Sequence, residues 1–121
     1  MSKNQNSKRY DLEDRTLEFA KNVKAFVKKL PRTIAHIEDC RQLIKASGSV
    51  GANYIEANES LSKKDFRMRI KICRKEAKES RYWLRLVDTN SKEDLEKDRN
   101  TLKTEAGELM NIFGAILQKS K

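Results

Sequence analysis

Ala46-Ser47-Gly48-Ser49-Val50-Gly51-Ala52-Asn53-Tyr54-Ile55-Glu56-Ala57-Asn58-Glu59-Ser60 is the stretch whose reading decides the fold. Its neighbours are crowded with Lys, Arg, Glu and Asp, while its own charge is confined to Glu56 and Glu59. It is small, partly apolar, and reads as buried. Leu43, Ser47, Val50, Tyr54, Ala57 and Leu61 recur at helical spacing, and Ile44, Gly48, Gly51, Ile55 and Asn58 form a second line. The spacing predicts a helix from about Pro31–Thr33, where Pro is tolerated in a first turn, to about Asn58. Each interior glycine costs a helix about 1 kcal/mol relative to Ala. Ser47, Ser49 and Ala52 are small too, which favours close approach by another backbone over the alternative, a break near Gly48.

Downstream, Ser62-Lys-Lys-Asp65 is a near capping box that opens a helix to about Val87. Phe66, Ile70, Cys73, Ala77, Ser80, Leu84 and Val87 step by fours and threes, a seam of coiled-coil period. A neighbouring line holds Ile72, Glu76, Glu79, Trp83 and Leu86. Ser91-Lys-Glu-Asp94 reads as a further cap, for a helix to about Gln118 with Leu95, Leu102, Ala106, Leu109, Phe113 and Ile116 as its seam. Upstream, Leu17, Ala20, Val23, Phe26, Val27 and Leu30 predict a helix from about Leu12 to Lys29, ended by Pro31. Residues 1–10 read as a flexible basic arm. The expected fold is therefore all-α, an antiparallel up-down four-helix bundle over residues 11–121.

The composition agrees. A chain of 121 residues is one domain by size, and 37% charged against 37% hydrophobic residues suits long amphipathic helices with solvated outer faces. Cys40 and Cys73 fall inside helical patterns and read as reduced core residues. No apolar run resembles a signal peptide or a membrane span, so the cytoplasm is the expected compartment.

Catalytic chemistry finds little support. Carboxylate-bridged metal pairs in bundles need Glu-x-x-His on two helices, whereas this chain has one histidine, His36, with no Glu three residues before it. His36 reads as a surface or loop-proximal residue, without a nucleophile paired to it. Gly48-Ser-Val-Gly51 is too short for a phosphate loop and lacks its lysine. No enzymatic activity, metal or cofactor is expected.

Charge is more informative. Between Ser62 and Arg85 ten basic residues stand against three acidic ones, a balance of +7 in a chain of net charge +9. A one-sided basic helix is the electrostatic footprint of phosphate binding. Arg67, Arg69, Lys71, Arg74, Lys78 and Arg81 are the candidate contacts to RNA or DNA. The alternative is a protein scaffold whose basic face meets an acidic partner. A second feature is polar: Asn53 and Glu56 share one side of their helix, and Glu76 and Glu79 edge the next helix's seam. Buried carboxylates need partners, so Asn53 and Glu56 are expected to form a hydrogen-bonded network with basic residues of the third helix or with another subunit. Ordinary exposure of all four is the alternative.

Gln42 to Glu59, followed by Asp65-Phe66 and Lys75-Glu-Ala-Lys-Glu-Ser-Arg-Tyr-Trp-Leu84, resembles the bacterial four-helix-bundle family found in intervening sequences of 23S ribosomal RNA genes. The accessory variability determinant of diversity-generating retroelements is a relative. The resemblance covers roughly Leu17 to Leu117 and implies a ring-shaped homopentamer with a basic, nucleic-acid-binding surface. In the retroelement relatives it also implies a reverse transcriptase partner. Ser49, Asn53, Glu56, Phe66, Glu76, Glu79 and Leu84 match the family pattern as structural or interface positions. Ala57-Asn58 stands where many relatives have Glu-Gly, which puts the exit of the second helix in doubt.

Overall fold

The computed structural model describes residues 11–121 as four helices: α1 Leu12–Val27, α2 Ile34–Asn58, α3 Lys63–Leu86 and α4 Glu93–Lys119. The expected arm, residues 1–10, lies outside the described residues, among which there is no strand. Three helices start on a side-chain cap. Asp11 accepts from the amides of Glu13 and Asp14, Thr33 from that of His36, and Ser62 from that of Asp65. The fourth departs from expectation. Ser91 does not cap α4, because Asn90 and Ser91 form a left-handed turn at φ 58° and 57°, leaving Lys92 at the cap with no side-chain bond.

Pairs across the helices fix the direction of each. Asn58 bonds Glu13 and Gly51 meets Thr16, so α1 and α2 are antiparallel. Arg69 of α3 bonds Asn53 of α2, Arg67 of α3 bonds Leu117 of α4, and Arg99 of α4 bonds Leu84 of α3. Each helix packs on its neighbours in chain order and α1 closes weakly onto α4, so the bundle is square, and Tyr54 of α2 reaches across the diagonal to Phe113 of α4, their ring centroids 5.9 Å apart. Arg15 stitches that thin seam: it grips Glu105 through Nε (2.7 Å) and Nη2 (2.8 Å) and reaches Glu108 at 2.8 Å.

The core is built from the expected seams of α3 and α4. Ile70, Cys73, Ala77, Leu84, Ala106, Leu109 and Phe113 are all fully buried. On α1 the buried line is instead Leu12, Thr16, Phe19, Val23 and Phe26, and Leu17 is 55% exposed. The line is shifted because Thr16 serves as a core residue: it is buried, and its hydroxyl donates to the carbonyls of Leu12 (2.7 Å) and Glu13 (3.1 Å). The quoted stretch is only half buried. Ala46, Ser47, Val50 and Ala57 face inward, while Gly48, Ala52, Ile55, Glu56 and Asn58 face out. α2 runs through it unbroken as far as Asn58. A Cβ on Gly51 would stand 2.8 Å from Thr16 Oγ1 and 3.2 Å from its Cβ, whereas one on Gly48 would meet nothing within 4 Å. Close approach therefore explains Gly51 and not Gly48.

His36 is buried, contrary to expectation. Its Nδ1 lies 2.6 Å from the Pro31 carbonyl and its Nε2 3.0 Å from the Asp88 amide. A carbonyl only accepts and an amide only donates, so the ring is neutral with its proton on Nδ1. It ties the α1–α2 connection to the α3–α4 turn. Beside it, Arg99 Nη1 donates to the carbonyls of Leu84, Arg85 and Val87 at 3.1, 3.2 and 2.7 Å, capping the end of α3.

The two glycines should respond oppositely to alanine. Gly51→Ala is expected to lower stability by about 1–3 kcal/mol through overpacking against Thr16, with part recovered in Gly51→Ala/Thr16→Ala. Gly48→Ala is expected to raise it by up to about 1 kcal/mol through helix propensity. Urea denaturation measures all three, and equal responses at the two glycines would reject the close-approach account.

Candidate nucleic-acid interface

Burial of the α3 seam dictates what lies beside it. One position after each of six seam residues comes a cation: Arg67, Lys71, Arg74, Lys78, Arg81 and Arg85. These step by four and three, so they form one continuous line about 27 Å long at 1.5 Å rise per residue. No carboxylate interrupts it. The line runs along the α4 side of α3. Arg67 Nη1 donates to the Leu117 carbonyl (2.6 Å) and to Ser120 Oγ (2.8 Å). Arg74 Nε lies 3.9 Å from where a Cβ on Gly114 would stand, and Arg81 Nη1 3.6 Å from one on Gly107.

The structure divides the six candidate cations. Lys71, Arg74, Lys78 and Arg81 stand together on this line, and their side chains make no hydrogen bond or ion pair among the described residues. Arg67 shares the line but is held by the end of α4. Arg69 lies off it, on the α2 side, donating to Asn53 Oδ1 at 2.9 Å. Arg85 completes the line and was missed as a candidate, although the alternation of four and three that picks out the seam picks it out too.

The polar cluster is smaller than expected. Asn53 is its centre, accepting from Arg69 and donating through Nδ2 to the Ser49 carbonyl at 2.9 Å. Glu56 and Glu79 are exposed, and their carboxylates make no bond among the described residues. Phe66 packs half-buried on the core and Leu84 is part of it. Glu76 is half-buried beside Lys75 at 3.9 Å. Burial raises its carboxyl above the ordinary range, Glu79 adds to the rise, and Lys75 and Lys45 oppose it. Burial also pushes the Cys73 thiol up to about 12 and raises that of Cys40, so both are poor nucleophiles. Among the described residues no group of three His, Cys, Asp or Glu side chains is placed to hold a metal. No described helix is long and apolar enough to cross a membrane.

Fold and surface together define a basic, all-α four-helix protein. The chain belongs to the 23S rRNA-intervening sequence protein family, which matches residues 8–115. It is similar to the crystal structure of a protein with unknown function from the S23 ribosomal protein family of Bacteroides thetaiotaomicron, at 25% identity and a TM-score of 0.75. That similarity covers 88% of this chain and 98% of the other. No curated protein matches.

The Glu76 shift has a definite sign. A carboxyl raised in the folded state contributes stability that is fully present below the ordinary glutamate range and lost as pH rises through the raised value. Glu76→Gln is therefore expected to stabilise the fold at pH 7, by up to about 0.5 kcal/mol. The gain should vanish near pH 4, about where an ordinary glutamate is protonated. Thermal melts of both proteins across that range check it.

Proposed function

We propose that this protein is a non-enzymatic, cytoplasmic homo-oligomer that binds RNA or DNA along α3. The observation that carries the reading is the cationic line, in which Lys71, Arg74, Lys78, Arg81 and Arg85 are unneutralised by the chain's own carboxylates. Five free cations on one straight edge suit a phosphate backbone and carry no base readout, so binding is electrostatic and independent of sequence. Log affinity should fall linearly with log salt, and Lys71→Gln/Lys78→Gln should lower the slope by about 2. A filter-binding titration across salt measures this. Absence of binding to any RNA or DNA at low salt rejects the reading.

Self-association has its own support. The outer side of α2 shows Ile34, Ile37 and Ile55 at 91%, 52% and 50% exposure, with Gly48 among them opening onto empty space. Beside them Val27, Leu30, Ile37, Cys40 and Ile44 line a pocket of about 320 Å3. An apolar helix face fits another helix packed against it, and the family resemblance favours a homopentameric ring. The face lies on α2, away from the α4 side of α3, so assembly leaves the cations open. Light scattering is expected to give a pentamer for the native chain and a smaller species for Ile37→Lys/Ile55→Lys. A native monomer at micromolar concentration would overturn the ring. The same apolar face favours a second reading, a scaffold for a protein such as a reverse transcriptase. An intact oligomer that ignores nucleic acid would select it.

A further inference from the structure

We infer that the groove between α3 and α4 beside the α3–α4 turn is a phosphate-binding site that carries the bound strand from α3 onto α4. This rests on the nucleic-acid reading above and deepens it. The groove, of about 510 Å3, is lined by Arg81, Arg85, Asn100, Lys103, Thr104 and Gly107. It holds three cations, two neutral hydrogen-bonding side chains and no carboxylate. None of the five side chains donates or accepts a hydrogen bond or joins an ion pair among the described residues.

The surroundings make this arrangement fit an anion. The carbonyl end of a helix ordinarily repels negative charge. Here Arg99 occupies the carbonyls of Leu84, Arg85 and Val87, which removes that repulsion from the groove's edge. Glu96, whose carboxylate feels Lys103, is held instead by Thr89 and by Arg99 at 2.6 Å. Its carboxylate is hydrogen-bonded to those partners, so the Lys103 ammonium keeps its donors although the two charges still attract. Arg81 and Arg85 stand one turn apart, a spacing at which like charges repel, and Lys103 adds a third positive charge from α4. A phosphate relieves this, because the guanidinium fork matches its oxygens and Asn100 and Thr104 supply neutral donors. Gly107 keeps the floor low: a Cβ there would lie 3.6 Å from Arg81 Nη1. Glycine costs a helix interior about 1 kcal/mol, and no turn or packed neighbour requires it at this position.

Lys103 and Asn100 belong to α4, so they separate the groove from the line. Lys103→Gln/Asn100→Ala and Lys78→Gln are compared with the native protein by filter binding of single-stranded RNA across salt, with thermal melts to check folding. The groove predicts that both variants weaken binding and that each lowers the salt slope by about 1. Native binding by the α4 variant with weakened binding by Lys78→Gln overturns the groove and leaves the line standing. Failure of the native protein to bind overturns the reading beneath both. Inorganic phosphate is the second probe. A saturable NMR shift of the Asn100 side-chain amide, abolished by Lys103→Gln, supports the site, and no shift overturns it. A phosphate shift without any RNA effect of the α4 variant assigns the groove to free anions and overturns its role in carrying the strand.

Discussion

Burial of one line on α3 fixes where every cation of that helix goes. Ile70, Cys73, Ala77, Ser80 and Leu84 are fully enclosed, and Ser80 is tolerated because its hydroxyl donates to the Glu76 carbonyl at 2.8 Å. Rolling the helix by one residue would bring Lys71, Arg74, Lys78, Arg81 and Arg85 inward, at several kcal/mol for each unpaired charge. The apolar seam thus acts as an aiming device. Its threes and fours are the reason the cations form an edge and not a scatter.

The other helices divide the surface around that edge. α4 presents Gly107 and Gly114 beneath Arg81 and Arg74, which keeps its side of the groove shallow. α2 turns Leu43, Ser47, Val50 and Ala57 inward, lays Gly51 against Thr16 of α1, and leaves Ile37, Gly48 and Ile55 outward. α1 supplies the least contact with α4, and the Arg15 clamp and the Lys29–Asp98 ion pair bridge that seam. The cationic edge runs along α3, whereas Ile34, Ile37 and Ile55 are exposed on α2; α3 also exposes Met68, Tyr82 and Leu86.

Much of this was legible from periodicity. Four helices, the seams of α3 and α4 and the richness of α3 in cations all follow from the spacing of residues in one dimension. What escaped depends on partners distant in sequence. Thr16 looks polar until its hydroxyl is seen bonded to its own helix, and Leu17 looks like core for want of that knowledge. Arg67 and Arg69 differ from Lys71 only through Leu117, Ser120 and Asn53, none of which local pattern can assign. Ser91 looked like a cap because the left-handed turn at Asn90 and Ser91 leaves no composition signal beyond the residues themselves. Asn53 and Glu56 are expected from the sequence to share one network with basic residues of α3 or with another subunit, and within the chain Asn53 bonds Arg69 of α3 while the Glu56 carboxylate is exposed.

His36 has a consequence beyond its two hydrogen bonds. The bundle is two helical hairpins, α1–α2 and α3–α4, and the imidazole joins the linker of one to the linker of the other. The α2–α3 connection lies at the opposite end, so the hairpins are fastened at both ends, covalently at one and by a ring at the other. Neither hairpin swings away without breaking the bond to Asp88. Amides around the two linkers should therefore exchange with solvent as one cooperative unit, at the pace of hairpin separation and not of local fraying.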